Sequence, residues 1–460
     1  MLTKRASGAR AGIPSSLRGL RGSETAKVAG LAGAMIANNV IALGSTVVFA
    51  RLLNDSYGSL AALISYFLIL SVVGQALQVA TAREGVLGHL GVGAGLAATV
   101  RKWTSGLLVF TAALTVVSVL LRDPIAQAVG VKHDQWAAAL GLPAAGLWLE
   151  LSMLRGVLQG VGDYKGVGVS LVGEQAARLV LGTGLAAAGL GVTGAYLGTP
   201  LSFVAIGVFC LVRLRAHVEQ VTAAPLGAVD VAPPAALSLW MHVRRAWAPI
   251  AGLIVIAVLQ NIDIIAAKHR FGTSLASSYA ATAVAAKVLI WVAVGAGFYL
   301  VPEVSRRRAA GHDPRPILFR ALAIIAVCAV PVLLIFAFEP HLLLELAFGA
   351  KRATASGSLF VLGCAFTVLA ATYLAIQYML ALKRTWFLIA VGAVAAAEPI
   401  LLLNASRRPA GFATVVLAIQ AVGAVLAYGM ALRREGAPTE GDNNEPRAAI
   451  TASAPLEPVA

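Results

Sequence analysis

Charge is what this sequence has least of. Only 12% of its 460 residues are Asp, Glu, Lys or Arg, against roughly 25% in soluble domains. A soluble chain of this length could not coat its surface with so few, which excludes a multi-domain soluble protein. Cysteine is nearly absent as well: Cys210, Cys328 and Cys364 stand far apart inside apolar runs. No CxxC or Cys/His spacing exists, so neither a disulfide framework nor a metal site is expected. The sequence also lacks GxSxG, HExxH and Walker-type motifs, and its seven His residues fall singly at helix ends and loops. An integral-membrane polymerase or glycosyltransferase would use a long extramembrane loop with catalytic groups. The short loops here make a non-enzyme the expectation.

What the sequence has is apolar length. Hydrophobic residues make up 59% and the mean hydropathy is +0.82. A helix needs about 20 mostly apolar residues to cross the hydrocarbon core. Such runs lie near 28–50, 57–80, 103–121, 136–154, 167–187, 191–212, 247–267, 277–302, 317–338, 357–381, 386–404 and 411–432. The expected fold is therefore an all-α polytopic membrane protein of about twelve transmembrane helices.

The excess of 36 Lys+Arg over 21 Asp+Glu sits in short clusters between these runs, which argues for membrane orientation and against nucleic acid. Arg101/Lys102, Arg213/Arg215, Arg306–Arg308 and Lys383/Arg384 outweigh the basic residues of the alternate loops. The positive-inside rule then puts both termini in the cytoplasm of a cell-membrane protein.

The chain repeats itself. ARLLNDSYG from Ala50 is echoed by AKHRFGTSLASSYA from Ala267, and LQGVGDYKGVGVS from Leu158 by LALKRTWFLIAV from Leu380. An offset near 220 in both predicts two six-helix lobes related by a parallel pseudo-twofold axis along the membrane normal. The expected organisation is a basic segment over 1–26, a first lobe over 27–213, a Pro-bearing linker over 214–244, a second lobe over 245–434 and a disordered tail over 435–460.

Ionisable residues inside spans need a partner or a wet cavity, since each costs about 2.5–3.5 kcal/mol at mid-membrane. The candidates are Glu174 and Arg178 at i, i+4 in the fifth span, Asp263 in the seventh, Lys287 in the eighth and Glu398 in the eleventh. Glu398 is the repeat counterpart of Arg178. Two readings stand open: these groups pin helices together as Glu174–Arg178 and Asp263–Lys287 pairs, or they line a cavity, with Asp263, Glu174 and Glu398 as coupling candidates. Asn38, Asn39, Gln75 and Gln78 add amides on the first two spans. These bond between helices or offer partners to sugar hydroxyls.

The segments ARLLNDSYG, LRGVLQGVGDYKGVG at 154–168 and NIDIIAAKHRF…SSYAATAVAAKVLIWVAVGAGFYLVPEVSRR at 261–307 resemble the polysaccharide-transporter branch of the multidrug/oligosaccharidyl-lipid/polysaccharide exporter superfamily. The resemblance implies a V-shaped pair of lobes facing a central cavity and alternating access of a polyprenyl-pyrophosphate-linked glycan. Membrane lipids and other polysaccharide-assembly membrane proteins are the expected partners. No cofactor is expected, with H+ or Na+ as candidate coupling ions. Asn38, Asn39, Gln75, Gln78, Lys287 and Arg178 are the candidate substrate-binding residues. A cation-coupled drug exporter of the same superfamily is the alternative.

Overall fold

A computed structural model of the protein describes residues 24–223 and 247–433. The expected tail over 435–460, nearly all of the segment 1–26 and most of the linker lie outside these residues. The first lobe contains α1 (Glu24–Leu53), α2 (Tyr57–Val86), α3 (Ala94–Leu120), the short α4 (Arg122–Val129) and α5 (Gln135–Ala139), α6 (Gly141–Gly160), α7 (Tyr164–Leu185) and α8 (Gly191–Ala223). The second contains α9 (Trp247–Arg270), α10 (Thr273–Ala286), α11 (Val288–Ala309), α12 (Arg315–Phe338), α13 (Pro340–Phe348), α14 (Leu359–Ala381), α15 (Phe387–Leu403) and α16 (Pro409–Ala431). Among the described residues there is no strand. The sixth span runs on to Ala223, so the start of the expected linker at 214 is helix.

Among the described residues, nine continuous helical stretches are long and apolar enough to cross a membrane. Two of them, Gly30–Val86 and Tyr164–Gln220, each hold two helices, and the shorter Phe387–Leu403 completes a set of twelve. The breaks have local causes. Asn54 adopts φ +49°, a conformation whose cost Asn tolerates better than most residues, and the chain reverses through Asn54–Ser56. Gly189 at φ +99° and Gly191 at φ +50° serve the same purpose between α7 and α8, where a side chain would be strained. Lys287 separates α10 from α11 within the eighth span.

Small residues bring the helices close, as membrane packing requires. A Cβ on Gly85 would lie 2.6 Å from the Cα of Gly160, so α2 and α6 meet backbone to backbone. The second lobe uses glycine differently: a Cβ on Gly363 would fall 2.7 Å from the Phe336 ring, so α14 receives an aromatic side chain from α12. Between the lobes, α2 packs against α9 and α10. By contrast α1 packs mainly on α7 and has little contact with α2, leaving the two helices splayed.

Candidate functional site

The polar residues of the spans gather in three places. The first is the core of the second lobe. Lys287 Nζ lies 3.0 Å from Asp263 Oδ1, and the Tyr279 hydroxyl donates to Asp263 Oδ2 at 3.3 Å. Asp263 and Tyr279 are fully buried and Lys287 is 7% exposed. Lys287 sits at the break in its span, which frees its stem to bend toward α9, and its ammonium stands 5.1 Å from the centre of the Phe366 ring. Nearby Glu398, also buried, accepts from Gln420 Nε2 at 3.2 Å. The same amide nitrogen donates to Leu259 O at 3.0 Å. Glu398 Oε2 and Gln420 Oε1 have no hydrogen-bond partner. Each is a buried acceptor left without a donor.

The second place is the core of the first lobe. Glu174 receives Arg178 Nη2 at 2.7 Å and Arg155 Nη2 at 3.1 Å. Arg155, entirely buried, also donates to the Ser170 hydroxyl and carbonyl at 2.9 and 2.8 Å. The Arg178 guanidinium lies 5.4 Å from the Phe203 ring centre. The intrahelical Glu174–Arg178 pair visible in the sequence is thus half of a three-residue group that straps α6 to α7. Its third member is Arg155 of α6. Its position five residues before the end of α6 at Gly160 carries no signal of this role in the sequence.

The third place joins the lobes at the end holding the 54–56 turn. Arg352 Nη2 donates to Asp55 Oδ1 at 2.8 Å. Ser277 Oγ donates to Asp55 O at 2.6 Å and accepts from the Gly58 amide at 2.8 Å. Arg51 reaches the carbonyls of Leu346 and Ala347 at the end of α13, at 2.7 and 3.2 Å, where the helix dipole favours a cation. The hydrogen bond from Arg352 holds the Asp55 carboxyl below the usual carboxylate range. These contacts form a latch.

The amides lie apart from all three. Asn38, Asn39 and Gln78 are half-buried and Gln75 is exposed. Asn38 Nδ2 bonds weakly to Asn39 Oδ1 at 3.4 Å. These four belong to α1 and α2, the two helices that make little contact with each other. Lys287 and Arg178 each have a carboxylate partner, though Arg178 shares Glu174 with Arg155. Among the described residues no group of three or more His, Cys, Asp or Glu side chains could hold a metal ion.

No family model and no curated protein matches the sequence. Solved structures do match the fold. A multidrug resistance MATE family transporter of the MOP superfamily, in an inward-facing conformation, aligns with a TM-score of 0.68 at 14% identity, over 86% of this chain and 94% of its own. The lipid II flippase MurJ, inward closed, aligns at 0.67 and 13% identity, over 87% of each chain. A MATE structure in a bent conformation aligns at 0.58 and 14% identity, over 91% and 97%. With its twelve apolar helices in two lobes, this multi-pass membrane protein has the fold of the MOP-superfamily transporters.

Proposed function

We propose that the protein moves a lipid-linked oligosaccharide across the cytoplasmic membrane by alternating access, with both termini in the cytoplasm. The reading rests on one observation above others. The splayed helices α1 and α2 carry amides and hydroxyls, and residues 30–50 and 57–82 hold neither Asp nor Glu. Neutral donor–acceptor groups suit sugar hydroxyls, and a lateral gap lets a polyprenyl tail stay in lipid while its head group crosses. The similarity to a lipid II flippase supports the same class of cargo. In this reading Asn38, Asn39, Gln75 and Gln78 contact the glycan. The latch closes the outer end while the head group enters from the inner leaflet.

A second reading has its own support. Glu398, with one oxygen unpartnered, suits H+- or Na+-coupled export of an organic cation, the class suggested by the multidrug transporter. The two are separated in vesicles containing the purified protein. Outward movement of a labelled polyprenyl-pyrophosphate oligosaccharide, with no efflux of a cationic dye, supports the first. Ion-driven dye efflux with an immobile glycolipid transfers the assignment to the second. Reporter fusions at Gly272 and Arg352 are expected outside and one at Gly311 inside. The reverse pattern would invert the proposed direction.

A further inference from the structure

A groove between α3 and α8 lies on the outer wall of the first lobe, away from α2 and the lobe interface. It encloses about 670 Å³, within the range of small-molecule sites. Its lining changes in order along the bundle. Arg101, Arg215 and Glu219 stand at the end near the start of α3, Thr104 follows, and Leu108 and Leu211 line the deeper part. Both arginines are exposed, and the Thr104 hydroxyl, enclosed in the wall, has no hydrogen-bond partner. Beyond the groove α3 and α8 present Val109, Phe110, Val204 and Val208 to their surroundings, as helices in contact with acyl chains do.

The second lobe offers a comparison at the equivalent place. Arg315 begins its third span and Arg433 ends its sixth, beside a smaller cavity of about 350 Å³. There the guanidiniums are occupied: Arg315 Nη2 donates to Leu432 O at 3.1 Å, capping α16, and Arg433 stacks 5.5 Å from the Trp386 ring centre. In the first lobe neither Arg101 nor Arg215 forms an ion pair among the described residues. The same position thus serves as a helix cap in one lobe and as an open basic rim over a groove in the other.

We infer that the groove between α3 and α8 binds an anionic phospholipid, its phosphate between Arg101 and Arg215 and one acyl chain along Leu108 and Leu211. The inference goes beyond the transport reading and does not depend on which cargo is moved. Basic rims between transmembrane helices recognise acidic head groups in this way. Glu219 in the rim selects for a head group carrying a hydroxyl donor besides its phosphate, as phosphatidylglycerol does.

The test is native mass spectrometry of the full chain titrated with phosphatidylglycerol or phosphatidylcholine. The wild-type protein is expected to bind phosphatidylglycerol on the order of tenfold or more tighter, about fivefold coming from each arginine. Arg101→Gln/Arg215→Gln should abolish that preference, Arg101→Lys/Arg215→Lys should retain most of it, and Leu211→Trp should weaken both lipids by filling the groove. Equal affinity for the two lipids in the wild type, or an intact preference in the double Gln variant, would overturn the site. Displacement of the lipid by soluble glycerol phosphate would equally overturn it, since a bare anion would then suffice.

Discussion

The two lobes bury charge groups of opposite sign that coincide in the repeat at one position. In the first, Arg155, Glu174 and Arg178 carry two positive charges and one negative. In the second, Asp263, Lys287 and Glu398 carry two potential negative charges and one positive. Positions 178 and 398, related by the repeat offset, are occupied by Arg and Glu. Within these two groups, the buried atoms left without partners are Arg155 Nη1 and Arg178 Nε in the first lobe and Glu398 Oε2 and its neighbour Gln420 Oε1 in the second. A guanidinium does not lose its proton in a protein, so the first lobe's charge is fixed. A carboxyl changes its charge readily. On the ion-coupled reading proposed above, the first lobe holds a permanent strap and the second an adjustable centre.

The comparison breaks most visibly at Arg155. Removing one member of a buried charge group costs about 3–5 kcal/mol, so Arg155→Leu is expected to lose most of the folded protein, read by size-exclusion profile and melting temperature. Retention of wild-type stability would show that the strap is dispensable. A smaller effect is expected for the Asp263–Lys287 pair. Asp263→Asn and Lys287→Met should each destabilise, and the double variant should recover part of the loss, with a coupling of about 1–3 kcal/mol. Simple additivity would mean that the two charges act independently.

Glu398→Gln sharpens the comparison from the other side. It keeps the shape and the Gln420 hydrogen bond but fixes the charge at zero. Stability is expected to change by less than about 1 kcal/mol, while any dependence of transport on pH or Na+ disappears. An unaltered ion dependence would remove the adjustable centre from the second lobe.

The latch gives the smallest effect. Because the Arg352 hydrogen bond holds the Asp55 carboxyl low, the contact adds to closure above the carboxyl's free pKa, about 3.9. That contribution is lost as pH falls through the depressed value. Asp55→Asn should raise the labelling rate of a cysteine placed at the buried Ala276 beside the latch, with the unsubstituted Asp55 background approaching it only in acid. A labelling rate that is the same in both proteins at neutral pH would mean that closure rests on the remaining contacts.

Span number, span length and the repeat are legible in the sequence because each depends on apolar runs and their spacing. The pairing of Asp263 with Lys287 is legible too, since two opposite charges on consecutive spans have few other partners. Three features are not: Arg155 reaching Glu174, Gln420 reaching Glu398, and Tyr279 reaching Asp263. Each depends on how a helix is turned about its own axis. A soluble helix reveals this through its polar face, but helices that are apolar on every side give no such signal. The α13 carbonyls that receive Arg51 belong to a short helix between spans, and no run of residues announces that contact.

The glycine seam between α2 and α6 has a mechanical consequence. With 30 residues, α2 is about 45 Å long, packed along its length on α6 from the Tyr66–Gly141 contact to the Gly85–Gly160 contact and hooked to the other lobe at Gly58. Helix and lobe therefore move as one lever, with the latch at its tip. A tilt of the lobe by about 10° about the Gly85 end sweeps that tip through about 8 Å. That displacement exceeds the reach of every hydrogen bond in the latch. A rotation that leaves the α2–α6 seam intact is enough to part the latch at the opposite end of the bundle.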